Sequence, residues 1–353
     1  MKHLIESLLL ILVLIFSILV FGCASNEPTL SQKIRAIKTQ VTLSDVVEKI
    51  DRMVPRSGEN AVLYFRDTEK WYGWCNGTLS DFQAKPFPMS GSYGQSGSSL
   101  LLLDNPFTNK VDTYSVDESR NTMMMPGGLY VSTLDIKDRS VFRAGWNSTE
   151  LTFEKISGEG KALNRFTVPL EKINRKTMYS FFTNTTWHVW VPTRNKIFVF
   201  DEDLKLQQEV SIGLPSFIED FEWEIVDQIA ELETGPIEEL EAFGKTLQNK
   251  WVWMREGGFY PEGQDYVLNF RMARLIGKLG RGENDGTWDS VLVRISADGR
   301  LLNFQRIDEF IVEAKVGEAK YLGRTKHQHQ YIDLPADSPR IPESYEIHQV
   351  ELL

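Results

Sequence analysis

Few side chains in this sequence stand at spacings that suggest chemistry. The segment Gly280 to Asp289 carries Glu283, Asp285 and Asp289, hard oxygen ligands of the calcium-binding type, with Gly282 and Gly286 to allow tight turns. The Asp-x-Asp-x-Asp-Gly run of an EF-hand is missing, so a solvated acidic loop is the competing reading and no metal is assigned. His327 and His329 alternate with glutamines, which puts two imidazoles on one face of a strand, but no local spacing supplies a third zinc ligand. Cys75 lies between Trp74 and Asn76 without a histidine or basic residue beside it, and no Gly-x-Ser-x-Gly elbow marks a serine nucleophile. Met123, Met124 and Met125 suit either a soft ligand surface or core packing. Glycan cleavage would require two carboxyl groups about 5–10 Å apart, and 49 acidic residues offer no way to select the pair, so no catalytic residue is assigned. Aromatic side chains are the strongest remaining candidates. Trp71, Tyr72, Trp74, Trp187, His188, Trp190, Trp251 and Trp253 would make a rigid contact surface for a partner, or else pack between strands.

The N-terminus says where such a surface would work. Lys2 and His3 precede the apolar run Leu8 to Val20, which ends in Val20-Phe21-Gly22-Cys23. A membrane span needs about 20 apolar residues, so a basic start with a shorter apolar core reads as an export signal. The Val-x-Gly-Cys ending resembles the lipobox of bacterial lipoproteins. That resemblance implies removal of residues 1–22 and acylation of Cys23, a covalent lipid in place of any cofactor; an uncleaved signal anchor is the alternative. Ala24 and Ser25 follow without the aspartate of an inner-membrane retention signal, which favours the outer membrane, facing either the periplasm or the surface.

Composition narrows the partners. A net charge of −10 without a basic block excludes a nucleic-acid partner, since that binding rests on neutralised phosphates. The two cysteines, Cys23 and Cys75, leave no internal disulfide once Cys23 is acylated, so packing must stabilise the chain. Phe 20, Tyr 11 and Trp 9 supply a core for that purpose.

The elements that would position the aromatics follow from periodicity. Residues 23–41 read as a tether. Residues 42–55 read as a helix, with Thr42 as cap, Asp45 three residues on, and a stripe of Leu43, Val46, Val47, Ile50 and Met53. Residues 56–353 read as a β-rich domain of short antiparallel strands, with a helical insertion near 217–248 that comprises Phe217 to Leu232 and Pro236 to Thr246. Ala273 to Leu279 fits either a short helix or a strand edge. Two hairpins match: Phe200 with Ile295, Asp203 with Asp298, Lys205 with Arg300 and Leu206 with Leu301. Their interval would hold two repeats of about 47 residues, within reach of the 40–50 usual for propeller repeats. Arg255 to Gly258, at its middle, lacks the Asp–basic–Leu pattern.

These hairpins resemble the strand turns of bacterial β-propeller proteins, including lipoproteins of that build. The resemblance implies a mainly β fold of irregular, propeller-like antiparallel sheets with a small helical insertion. A β-sandwich or two smaller β domains remain as alternatives, because Asp-Gly at a hairpin tip is selected by turn geometry in any antiparallel sheet. The expected function is a non-catalytic binding or assembly role toward an envelope protein or a carbohydrate, with a glycan hydrolase as the alternative.

Overall fold

The chain is built from four-stranded antiparallel sheets, six of them among the described residues. The structure, a computed structural model, describes residues 123–170, 177–183, 185–279 and 284–325, together with the backbone of the strands given below elsewhere. All of these lie in the unit Lys33–Leu353.

Strand β1 (Arg35–Ile37) stands apart in sequence from its sheet. Sheet 1 comprises β2 (Ile50–Pro55), β3 (Asn60–Phe65), β4 (Lys70–Cys75) and β5 (Thr78–Phe82). Sheet 2 comprises β6 (Tyr93–Ser96), β7 (Ser99–Leu103), β8 (Lys110–Tyr114) and β9 (Arg120–Met124). In sheet 3 the order is β10 (Tyr130–Lys137), β11 (Ser140–Trp146), β12 (Glu150–Ile156) and β13 (Ala162–Pro169). Sheet 4 follows with β14 (Tyr179–Phe182), β15 (Thr186–Val191), β16 (Lys196–Asp201) and β17 (Leu206–Ser211). Sheet 5 is the largest, with β18 (Trp251–Glu262), β19 (Asp265–Leu279), β20 (Asn284–Ile295) and β21 (Leu301–Ile307). Sheet 6 contains β22 (Phe310–Gly317), β23 (Lys320–Thr325) and β24 (Glu346–Glu351), and β1 completes it by pairing with β24. The first strands of successive sheets are neighbours from β2 through β6, β10, β14 and β18 to β22, and β22 also lies beside β2.

This is the mainly β, antiparallel organisation that the alternating pattern predicts, and the helices fall in the expected insertion. They are α1 (Ser216–Glu219), α2 (Trp223–Leu232) and α3 (Ile237–Thr246). Pro236 stands immediately before α3, Glu238 and Glu239 occupy its first turn and Lys245 its last, and these three charges complement the helix dipole. Ile225, Ile229, Leu240 and Leu247 pack against Val252, Leu275 and Leu279 of sheet 5. Gly244 permits the approach, since a Cβ there would lie 2.5 Å from that of Leu279.

Three expectations are corrected. The helix predicted over 42–55 gives way at Ile50–Pro55 to β2, paired along its length with β3; a ladder with an apolar strand outweighs a short apolar stripe, and residues 42–49 lie outside the described residues. Within the tether predicted at 23–41, Arg35–Ile37 is a strand, paired with Glu351, Val350 and Gln349. Ala273 to Leu279 is strand and not helix, the end of β19: Ala273 and Arg274 lie between β18 and β20, and beyond them the ladder continues to β20 alone.

The matching hairpins occupy equivalent places, each joining the third strand of its sheet to the fourth. Their sheets are consecutive, so the interval holds one repeat rather than two; the three helices and strands of 12, 15 and 12 residues fill it. A further copy, not visible from the Asp–basic–Leu pattern, lies at Ile156 to Ala162 in sheet 3. Ser157, Asp201 and Ser296 open the three turns, and the backbone N–H of each donates to the carbonyl of Lys161, Lys205 or Arg300 at 2.8, 3.0 and 2.9 Å. The opening side chain accepts in return from the N–H of that basic residue, at 3.2, 2.9 and 3.1 Å respectively. The position before it has a positive φ, 83° at Gly160, 60° at Leu204 and 88° at Gly299. Glycine tolerates that conformation without strain, and at Leu204 burial of the side chain offsets the cost.

Apolar faces of adjacent sheets make the core. Between sheets 3 and 4, Phe153 packs on Phe200 at 5.0 Å and on Phe198 at 5.3 Å, with Trp187 beside them. Between sheets 4 and 5, Trp190 meets Phe270 edge-on at 5.4 Å amid Leu268, Met272, Val291 and Val293. Each such side chain contributes roughly 1.5–3 kcal/mol when fully buried.

Candidate functional site

Sheet 5 carries a polar end on a face that is otherwise apolar. Its register sets Trp251 of β18 opposite Arg274 of β19, and Arg274 opposite Thr287 of β20. Side chains two apart on a strand share a face, so Thr287, Asp289 and Val291 lie on one side, and Arg306 of β21, opposite Val291, joins them. The core covers Met272 and Val291, whereas Trp251, Arg274 and Thr287 beyond them are only half-buried.

Two guanidinium groups flank the indole of Trp251, that of Arg306 at 4.7 Å from the ring centroid and that of Arg274 at 5.8 Å. Their accounting differs. Arg306 donates through Nε to Asp289 at 2.9 Å, and it forms ion pairs with Asp289 at 2.7 Å and with Asp308 at 2.6 Å. Asp289 also accepts from the N–H of Glu309 at 2.8 Å; burial pushes its carboxyl up, against the downward pull of that N–H and of Arg306. Arg274 has no carboxylate partner among the described residues, and its buried Nε–H is not hydrogen-bonded. The hydroxyl of Thr287, its neighbour across the strands, is buried and equally unpartnered. Trp251, Arg274 and Thr287 therefore offer an aromatic ring, a set of charged N–H donors and a hydroxyl on one rung of the sheet.

The opposite face of sheet 5 meets sheet 6 in a network built on an ion pair, in which Arg271 Nε and Asn269 Oδ1 are themselves buried without a hydrogen-bond partner among the described residues. Arg271 pairs with Glu313 at 2.5 Å and donates to the carbonyl of Val312 at 3.0 Å, to which Asn269 also donates at 3.0 Å. The pair with Glu313 raises the Arg271 guanidinium although burial opposes it. Gly257 and Gly258 make room for this network, for a Cβ on Gly257 would stand 2.8 Å from Arg271 Nε and one on Gly258 would overlap the Tyr260 hydroxyl. Trp253, from the predicted aromatic set, packs partly buried against the helical insertion, and Trp288 lies under Arg255 at 5.1 Å.

Sheet 4 holds the other described candidates, and it buries them. Trp187 and Trp190 are 0% exposed and His188 8%, so none can form the exposed contact surface expected of them. Trp187 donates through Nε1 to Asp135 at 2.7 Å, and Ser180 donates to the same carboxylate oxygen. Burial pushes Asp135 up to about 7 against those two hydrogen bonds. His188 is held at Nε2 by Thr186 at 2.7 Å and at Nδ1 by Tyr266 at 3.0 Å, and it stacks on Phe181. Burial lowers its imidazole to about 4, so a neutral ring joins sheet 4 to sheet 5. The apolar alternation of Trp187 to Val191 reads equally as core or as surface, which is why sequence alone left both open.

Of the remaining candidates, Trp71, Tyr72 and Trp74 lie on β4 between β3 and β5, with side chains outside the described residues. Cys23, His327 and His329, and the side chains of Glu283 and Asp285, also lie outside them. Asp289 is corrected from a loop to a buried strand position. Met125 is core, whereas Met124 is 61% exposed. Among the described residues no group of three His, Cys, Asp or Glu side chains is placed to hold a metal. Sequence reasoning missed Arg274 and Thr287, whose partnership depends on a register that no local pattern encodes.

No family model and no curated protein matches the chain. Among solved structures, it is similar to a member of the DUF4221 family from Bacteroides vulgatus, with a TM-score of 0.53 and 10% identity over 91% of this chain and 99% of that one. It is also similar to a protein from Bacteroides fragilis whose name marks it as a candidate exported protein, with a TM-score of 0.50 and 9% identity over 91% of this chain and 95% of that one. At these identities the likeness is one of fold, a mainly β chain of antiparallel sheets.

Proposed function

We propose that this is an exported, lipid-anchored cell-envelope protein, built as a six-bladed β-propeller, that binds an envelope partner or carbohydrate without performing chemistry on it. Closure of the propeller is supported by the succession of first strands that leads from β2 back to β2, and by β1, which brings the start of the domain into the last sheet. Export and acylation are supported by the leader ending at Cys23, and the candidate exported protein from Bacteroides fragilis agrees with that location.

The observation that carries the binding role is the rung of Trp251, Arg274 and Thr287, in which the Arg274 Nε–H and the Thr287 hydroxyl lack partners within the described fold. Among the described residues, Asp289 and Asp308 are both engaged by Arg306, which favours binding over a hydrolytic acid pair. Radiolabelled palmitate and membrane fractionation test the anchored reading in cells. The wild-type protein should carry label and sediment with membranes, and Cys23→Ala should lose both. Label retained on the Cys23→Ala protein would refute acylation at this residue.

A further inference from the structure

We propose that the rung of Trp251, Arg274 and Thr287 binds the carboxylate of an acidic sugar. The inference rests on the binding role above and names the chemistry of its ligand. A half-buried guanidinium has given up part of its hydration, and that loss is normally offset by a carboxylate or by full hydrogen bonding. Arg306, on the same face, follows that rule with two aspartates, whereas among the described residues Arg274 meets the indole and no carboxylate. A planar carboxylate matches the guanidinium fork with two parallel hydrogen bonds.

The surroundings favour a sugar over an acidic peptide as the source of that carboxylate. The buried, unpartnered hydroxyl of Thr287 can both donate and accept, as a ring hydroxyl requires, and on the same rung lies the indole of Trp251, approached by Arg306 at 4.7 Å and Arg274 at 5.8 Å. An aspartate or glutamate side chain would use the guanidinium alone. The net charge of −10 opposes long-range attraction of a polyanion, so the ligand is held by short-range contacts to one uronate and its neighbours.

Full-length protein in detergent micelles, titrated with digalacturonate, digalactose and a diglutamate peptide by calorimetry, tests this. Digalacturonate should bind at least about tenfold more tightly than either comparison ligand, the range expected of a charge-assisted hydrogen bond. Arg274→Gln should remove that preference, and Arg274→Lys should restore part of it. Circular dichroism of each variant verifies that it is folded. Equal binding of digalactose would overturn the carboxylate inference and leave the binding role standing. Equal binding of diglutamate would overturn the sugar assignment. No binding of digalacturonate to folded wild-type protein would overturn the proposal outright, while Cys23 labelling reports separately on the anchored reading.

Discussion

Trp187 and Trp251 each lie beside a charged or chargeable side chain on a sheet of the same build, and they differ in what surrounds that group. Around Trp187 the neighbour is Asp135, enclosed between sheets 3 and 4, with Ser180 and the indole N–H both donating to one of its oxygens. Around Trp251 the neighbour is Arg274, half-buried, with an unpartnered Nε–H and no carboxylate among the described residues. The first arrangement is complete within the fold. Arg143 repeats it with a guanidinium, for it is buried, pairs with Glu154 at 2.5 Å and donates to the carbonyl of Pro126 at 2.8 Å. Carboxylate pairing distinguishes Arg143, Arg271 and Arg306 from Arg274 among the described residues, whereas an unpartnered Nε–H by itself does not, since Arg271 has one as well.

The largest expected difference between the two tryptophans is in stability. Trp187→Ala should cost about 3–5 kcal/mol through the cavity it leaves among Phe142, Phe153 and Phe200, with a further contribution from the lost donor to Asp135. Trp251→Ala should cost less than half as much, because solvent already reaches that indole. Urea unfolding followed by circular dichroism measures both, and equal losses would erase the distinction.

A smaller effect concerns pH. Asp135, raised to about 7 in the fold, stays protonated while its unfolded counterpart ionises, so its contribution to stability falls as pH rises from about 4 to 7. His188, lowered to about 4, works in the opposite direction: its contribution is complete above about pH 6.5 and is lost as pH falls toward 4. In the wild type the two slopes oppose each other. Asp135→Asn should therefore leave a steeper rise in stability from pH 4 to 6.5, read from urea midpoints; an unchanged profile would show that Asp135 does not titrate as its burial requires.

Much of this organisation was legible in the residues. Alternation located the strands from Leu129 to Ile212, and Gly235-Pro236 marked the start of α3, because both signals are local. The shared turn was legible at Phe200 and Ile295 but missed at Ile156, where Glu159 replaces the aspartate and Ala162 the leucine. What the three turns share is a left-handed backbone position and an oxygen-bearing opening residue, and serine serves there as well as aspartate. The first strand of sheet 1 was misread because Ile50 and Met53 satisfy a helical stripe as readily as a strand, and pairing with β3 decides between them. The candidate site was half legible. Tryptophan drew attention to position 251, whereas Arg274 and Thr287 acquire meaning only when the register brings them beside it.

Urea unfolding of Arg274→Met, set against Arg143→Met as the paired control, tests most directly whether Arg274 is kept for a ligand. The alkyl stem is retained in both variants and the charge is removed. Arg143→Met should lose about 3 kcal/mol or more, because the buried Glu154 then loses its hydrogen-bonded partner and keeps only the more distant Arg165 at 3.8 Å. Arg274→Met should be as stable as the wild type or more so, since a half-buried charge with no counterion among the described residues has been removed. A loss for Arg274→Met matching that of Arg143→Met would contradict the account and make Arg274 another support of the fold.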